Sequence, residues 1–172
     1  MSALPAPRNE AAVAIDVLVE ADGWSAVPDA EAVARRAAQA ALDACGDEVP
    51  TPCELAVTLT DDAAIRVLNL EWRGMDKPTN VLSFPQADLP EGVDAPQPLG
   101  DVIVAFETLK AEAEAEAKAP AHHLAHLVVH GTLHLMGYDH LEDDEAEEME
   151  ALERSILAGL GIDDPYRLPQ DG

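Results

Sequence analysis

The sequence predicts an α+β domain, a small mixed four-stranded sheet packed by about five helices. Three observations predict it. Four short stretches suit strands by alternation or by apolar, β-branched content, and longer stretches carry helical spacing. Strands and helices follow one another without a steady βαβ rhythm, which favours α+β over a doubly wound sheet. A chain of 172 residues, 48% of them apolar, has material for one buried core and hardly for two.

The elements follow in order. Residues 1–10 read as a flexible lead-in, residues 11–160 as the single domain and residues 161–172 as a loose tail. Val13, Ile15, Val17 and Val19 alternate with their neighbours and predict a first strand. After a loop, the Ala-rich stretch Asp29 to Cys45 predicts a helix that Gly46 stops. Cys53, Leu55, Val57 and Leu59 mark a second strand. Thr60 is placed to cap the next helix, with Asp61 and Asp62 in its first turn and Gly74 at its end. Asn80 to Phe84 predict a third strand closed by Pro85, and residues 86–100 a long loop. DVIVAF, 101–106, predicts a fourth strand antiparallel to the third. One helix runs from Glu107 towards Pro120, and another from Pro120 to Leu135, stopped at Gly137. Met149, Leu152, Ile156, Leu157 and Leu160 form the apolar stripe of a last helix.

Charge and cysteine content restrict the function. Ten Lys and Arg against 34 Asp and Glu give −24, which excludes a general basic surface for duplex binding, though not a small basic site. Cys45 and Cys53 form no CxxC pair and read as reduced residues of a cytoplasmic protein. MSALPAPRNE has no cationic stretch followed by an apolar one, and no apolar run approaches the roughly 20 residues of a membrane span. Neither a secretion signal nor a membrane partner is expected.

The chemistry concentrates in HGTLHLMGYDH, residues 130–140. His130 and His134 stand four apart, so both project from one helix face. Gly137 can end the helix and let the chain bring His140 beside the pair. Three imidazoles and no fourth closing ligand suit one catalytic zinc ion per chain. His122 and His126 extend the four-residue repeat, but His126 and His134 are roughly 12 Å apart along a helix axis, too far for one ion with bonds of about 2.0–2.1 Å. His122, His123 and His126 are therefore assigned to the surface or to positions behind the ligands. The spacing parallels H-E-x-x-H-x-x-G-x-x-H, except that Gly131 replaces the glutamate base of a metalloprotease. Asp139, Asp143 and Asp144 are possible replacements. Asp143 and Asp144 also fit an ordinary acidic first helical turn, and Asp139 fits a position behind the ligands.

A second concentration is basic. Arg66, Arg73 and Lys77 lie within twelve residues. Arg66 is expected to pair with Glu71 or Asp76, whereas Arg73, before a helix-ending glycine, can reach into a cleft and clamp a phosphate. Asn80 and Ser83, with Lys77, are candidate substrate-binding residues. Trp72 and Tyr138 flank these groups and are candidates for base stacking, with a core role the alternative for Trp72.

HGTLHLMGYDH, with WRGMDKPTNVLSFP and GDVIVAF upstream, resembles the YbeY family of bacterial metal-dependent endoribonucleases from about Leu55 to His140. The resemblance implies zinc ligation by His130, His134 and His140, and a role for Arg73 in RNA cleavage. It also implies single-stranded RNA as substrate, in maturation of the small-subunit ribosomal RNA 3′ end and in ribosome quality control. Ribosome-assembly proteins or the small subunit would be partners, and DNA would not. Two other functions compete. One is a non-catalytic assembly factor stabilised by zinc. The other is a different zinc hydrolase such as a peptidase, which Gly131 disfavours.

Overall fold

The computed structural model describes residues 13–87, 89–93, 95–138, 142–162 and 164–165. The expected lead-in 1–10, the last seven residues of the tail, and Asp139 and His140 lie outside them. Four strands form one sheet: β1 (Val13–Val19), β2 (Cys53–Thr60), β3 (Val81–Pro85) and β4 (Gln97–Ala105), in the order β1-β2-β4-β3. β1 and β2 run parallel, as do β2 and β4, while β3 is an antiparallel edge strand. Five helices surround the sheet: α1 (Ala30–Cys45), α2 (Asp62–Arg73), α3 (Phe106–Ala115), α4 (Pro120–Leu135) and α5 (Asp143–Gly159). The mixed four-stranded sheet and five helices are those the sequence predicts. Among the described residues no helix is long and apolar enough to cross a membrane.

The two sheet faces carry unequal cores. α1 and α4 cover one face and α5 packs on those two helices; the core there takes in Val57, Leu59, Val102 and Val104 of the sheet and Leu124, Val128, Leu133 and Leu157 of the helices. Ala34, Ala37, Ala38 and Ala41 of α1 are all fully buried. Their small side chains keep α1 close against its neighbours, so packing rests on close approach and little on aromatic bulk. On the other face Ile65 of α2 joins Leu82 and Ala105, with Leu68, Phe84 and Ile103 beside them. β3 therefore points Leu82 and Phe84 towards α2, while Ser83 on its opposite face donates a hydrogen bond to the Gly131 carbonyl of α4 at 3.1 Å.

Three details differ from the sequence reading. Thr60 does not cap α2: it ends β2, and its carbonyl accepts the buried Trp24 indole N–H at 2.9 Å. Asp61 takes the cap, accepting from the Ala64 amide at 2.9 Å. β4 begins at Gln97, so the expected loop 86–100 is shorter, and Phe106 starts α3 instead of ending the strand. Gly100 sits at φ 140 beside the register shift between β2 and β4, and its Cβ position lies 2.3 Å from the Phe84 carbonyl. Only glycine permits β3 to pair there. In the tail, the Ile162 amide bonds the Leu157 carbonyl at 2.9 Å and Lys118 Nζ donates to the Pro165 carbonyl at 2.9 Å, so this part is tied down.

Candidate active site

α4 supplies the histidines because its sequence is apolar around three sides, which buries Leu124, Val128 and Leu133 and leaves His130 and His134 towards a cleft. The turn after it is built by Gly137 at φ 99, with the Tyr138 amide bonded to the Leu133 carbonyl at 3.1 Å. That turn aims the Tyr138 carbonyl at His134 Nδ1, 2.9 Å away. A carbonyl only accepts, so His134 carries its hydrogen on Nδ1. His130 Nδ1 likewise donates to Glu153 Oε2 at 2.9 Å. With the hydrogen on Nδ1 in both rings, the lone pair falls on Nε2 in both, and these two atoms are 3.0 Å apart.

Two imidazole lone pairs at 3.0 Å repel unless a cation or proton lies between them. Bonds of about 2.0–2.1 Å in a tetrahedral shell separate two nitrogens by about 3.3 Å, close to the observed spacing. The tautomers and the spacing thus fit a divalent metal such as zinc. Among the described residues no three ligating groups converge. His140, the third ligand expected from the sequence, and Asp139 lie outside those residues.

Glu153 is the residue the sequence reading missed. It is fully buried on α5 and joins two histidines of α4, accepting from His126 Nε2 at 2.8 Å and from His130 Nδ1 at 2.9 Å. A carboxylate there fixes the orientation and tautomer of the His130 ring and makes its Nε2 more basic. The signal was present: Glu153 falls four residues after Met149 and three before Ile156, inside the apolar stripe of α5. A charge on a buried stripe demands partners. His126 stands beside His130 and shares Glu153 with it, and His122 is exposed. His123 is 3% exposed and bonds Glu112 Oε1 at 2.8 Å. Burial lowers the His123 pKa and the Glu112 hydrogen bond opposes that shift.

The opposite wall comes from α2 and the edge strand. α2 is fixed at its start by Thr108, whose amide and hydroxyl donate to Asp62 at 3.0 and 2.8 Å. At its end Gly74, at φ 71, closes the helix with the Gly74 amide on Leu70 and the Met75 amide on Asn69. The buried Asn69 side chain donates to the Lys77 carbonyl at 2.9 Å and holds the following loop. These ties place Arg73 at the rim of a cavity of about 500 Å³ that it shares with His130 and His134. Asn80, Ser83, Val81 and Pro85 complete much of the wall. The cavity therefore gathers Arg73, Asn80, Ser83, His130 and His134. Lys77 is exposed and outside its lining. Asn80 is already engaged, donating to Glu112 Oε1 at 3.1 Å and accepting from the Val81 amide at 2.7 Å. Arg66 pairs with Asp76 at 2.7 Å, as expected. Asp143 and Asp144 are exposed in the first turn of α5. Tyr138 lines a separate pocket with Glu48, Glu145 and Glu148, and burial raises its hydroxyl pKa.

Gly131 has a packing reason. A Cβ there would lie 2.7 Å from Val102 Cγ1 and 3.0 Å from Ser83 Oγ. Position 131 faces the sheet, not the cleft. A glutamate could neither fit there nor reach a metal held by the histidines, so the metalloprotease base is excluded by geometry as well as by residue type.

Fold and cleft together define an α+β protein with a paired-histidine centre facing an arginine across an edge strand. The family profile described as Endoribonuclease YbeY matches residues 23–161, and the chain belongs to that family. A relative from Azorhizobium caulinodans, named Endoribonuclease YbeY, is 75% identical over 158 residues, 92% of this chain and 99% of its own. A Bradyrhizobium diazoefficiens protein of the same name is 59% identical over 155 residues, 88% of this chain and 84% of its own. The solution structure of TM1509 from Thermotoga maritima matches with a TM-score of 0.52 at 25% identity, covering 89% of this chain and 99% of that one.

Proposed function

We propose that the protein is a zinc-dependent endoribonuclease that cuts single-stranded RNA in the cytoplasm. Its substrate is a ribosomal RNA precursor, cut in maturation of the small-subunit 3′ end and in ribosome quality control. The observation that carries this reading is the His130–His134 Nε2 pair facing Arg73 across one cleft. Family membership supports the reaction type.

A zinc ion held by His130, His134 and His140 would supply Lewis-acid polarisation of a phosphodiester oxygen. Glu153 and the Tyr138 carbonyl hold the two described rings in the ligating tautomer. Arg73 offers a planar pair of donors to the phosphate and stabilises the charge that grows on it as the bond breaks. Ser83, and Asn80 through its backbone neighbours, border the chain where the phosphate would lie. Net charge supports single-strand selectivity. A duplex presents many phosphates to a surface of charge −24, whereas an unpaired strand needs to touch only the narrow basic rim. Weak intrinsic affinity follows, so small-subunit or assembly proteins deliver the substrate.

A second reading has one observation in its favour. Glu153 of α5 grips two histidines of α4, so metal and helix packing share a network. Zinc could then serve only to stabilise an assembly factor. The test is cleavage of a single-stranded 3′ precursor of small-subunit RNA, against the same sequence annealed in a duplex, with Arg73→Ala as control. The nuclease reading expects the single strand alone to be cut, and expects Arg73→Ala to reduce the rate by about 100- to 1,000-fold. Full-rate cutting by Arg73→Ala, or none by the wild type with its assembly partners present, would count against it.

A further inference from the structure

The chain has two Trp and two Phe, and they form two pairs. One pair, Trp24 with Phe106, lies in the core, edge to face at 5.3 Å, with Trp24 2% exposed. The other is Trp72 with Phe84, ring centroids 5.6 Å apart and inclined 51°, with Trp72 69% exposed. Such exposure for so large an apolar ring contrasts with its position. Ile65, Leu68, Asn69 and Trp72 are spaced i, i+3, i+4, i+7 along α2, the stripe that faces the sheet. Ile65 and Asn69 are fully buried. Trp72 continues the same stripe past the sheet's edge, where Phe84 supports the ring on one side and solvent meets the rest.

We propose that Trp72, braced by Phe84, is a stacking platform for an unpaired nucleobase next to the phosphate held at Arg73. The inference rests on the nuclease reading above. Trp72 adjoins Arg73, and Phe84 lies between Ser83 and Pro85, so platform and cleft differ by one residue on each element. An RNA strand leaving the cleft over edge strand β3 meets the indole next. Charge agrees: Arg73 and Lys77 are exposed and make no ion pair among the described residues, so a cationic rim adjoins an aromatic face. A base bears a π face and its strand bears phosphates, which matches both. An apolar protein partner fits less well. The other large exposed apolar residues of α2, Val67 and Leu70, lie on a different side of the helix and do not extend the patch.

Intrinsic fluorescence reads the platform directly, because Trp24 is buried and only Trp72 can meet a ligand. An RNA hexanucleotide is mixed with zinc-loaded protein and emission is read ahead of turnover. An abasic strand of the same length and charge is the comparison. The platform expects quenching by the hexanucleotide and little by the abasic strand. It expects Trp72→Ala to weaken hexanucleotide affinity about 5- to 150-fold, with Trp72→Phe restoring most of it and both variants melting as the wild type does. Equal quenching by both strands overturns the proposal. So does wild-type affinity in Trp72→Ala while RNA is still cut, a result that leaves the nuclease reading standing. If the protein neither binds nor cuts RNA, the nuclease reading fails and the platform falls with it.

Discussion

Glu153→Gln isolates what the buried carboxylate does for the metal centre. Glu153 is fully buried and accepts from two rings, at 2.8 Å from His126 and 2.9 Å from His130. Glutamine keeps the shape but presents one oxygen and one amide nitrogen. The ring facing that nitrogen must offer it a lone pair. If this is His130, its Nδ1 gives up the hydrogen, Nε2 takes it, and the ligand lone pair is lost. If it is His126, His130 keeps its tautomer but exchanges a charged acceptor for a weaker neutral one. Loss of such a partner lowers metal affinity about 10- to 100-fold, or about 1.4–2.7 kcal/mol. Glu153→Ala removes both acceptors. Two part-buried ring N–H groups lose that acceptor, at a cost of about 1–3 kcal/mol each, together about 2–6 kcal/mol of stability at most. Competition with a chromophoric chelator measures zinc affinity, and melting of metal-free protein measures stability. The account expects Glu153→Gln to melt near wild type and bind zinc more weakly, and Glu153→Ala to lose both properties. Wild-type zinc affinity in Glu153→Gln would refute the orienting role.

Three further outcomes are expected. Gly131→Ala places a methyl 2.7 Å from Val102 Cγ1, so overpacking should cost about 1–3 kcal/mol in denaturant titration, and wild-type stability would contradict the packing account. His123 titrates near 6.5 when unfolded and lower when folded, so the unfolded chain takes up its proton first as pH falls. Its contribution to stability is complete above pH 6.5 and lost on acidification towards the lowered value, and His123→Gln should flatten that part of the profile of unfolding free energy against pH. Cys45 is buried and its thiol is pushed up to about 11 by burial and by Glu48, and burial likewise raises Cys53. Both should react with a thiol reagent only after denaturant is added.

Much of this was legible in the sequence because periodicity reports burial directly. Val13, Ile15 and Val17 are buried on alternate positions as their spacing predicts, and the stripe Met149, Ile156 and Leu157 faces the core. The His130–His134 pair was legible because a four-residue step fixes a shared helix face. What escaped depended on contacts distant in sequence or on competition between neighbours. Glu153 meets His130 across 23 positions, and in the acidic run DDEAEEMEALER it looks like one solvated carboxylate among many. Thr60 and Asp61 are both good caps, and the indole of Trp24 settled the choice by claiming the Thr60 carbonyl. The start of β4 was hidden by Pro98 and Gly100, which normally end strands but here lie at a register shift beside edge strand β3. For Trp72 the sequence left base stacking and a core role open, and the ring is exposed because the sheet stops short of it.

The central claim is that the histidine pair holds a metal which, with Arg73, cleaves RNA. Cleavage rate against bound zinc tests it most directly, using metal-depleted wild type titrated back with zinc and Arg73→Ala carried to the same zinc content. The account predicts activity that rises with zinc to a plateau at one ion per chain, and an Arg73→Ala protein that binds the same zinc and stays nearly inactive. Activity independent of zinc, or an Arg73→Ala protein as active as wild type at equal zinc, would contradict it.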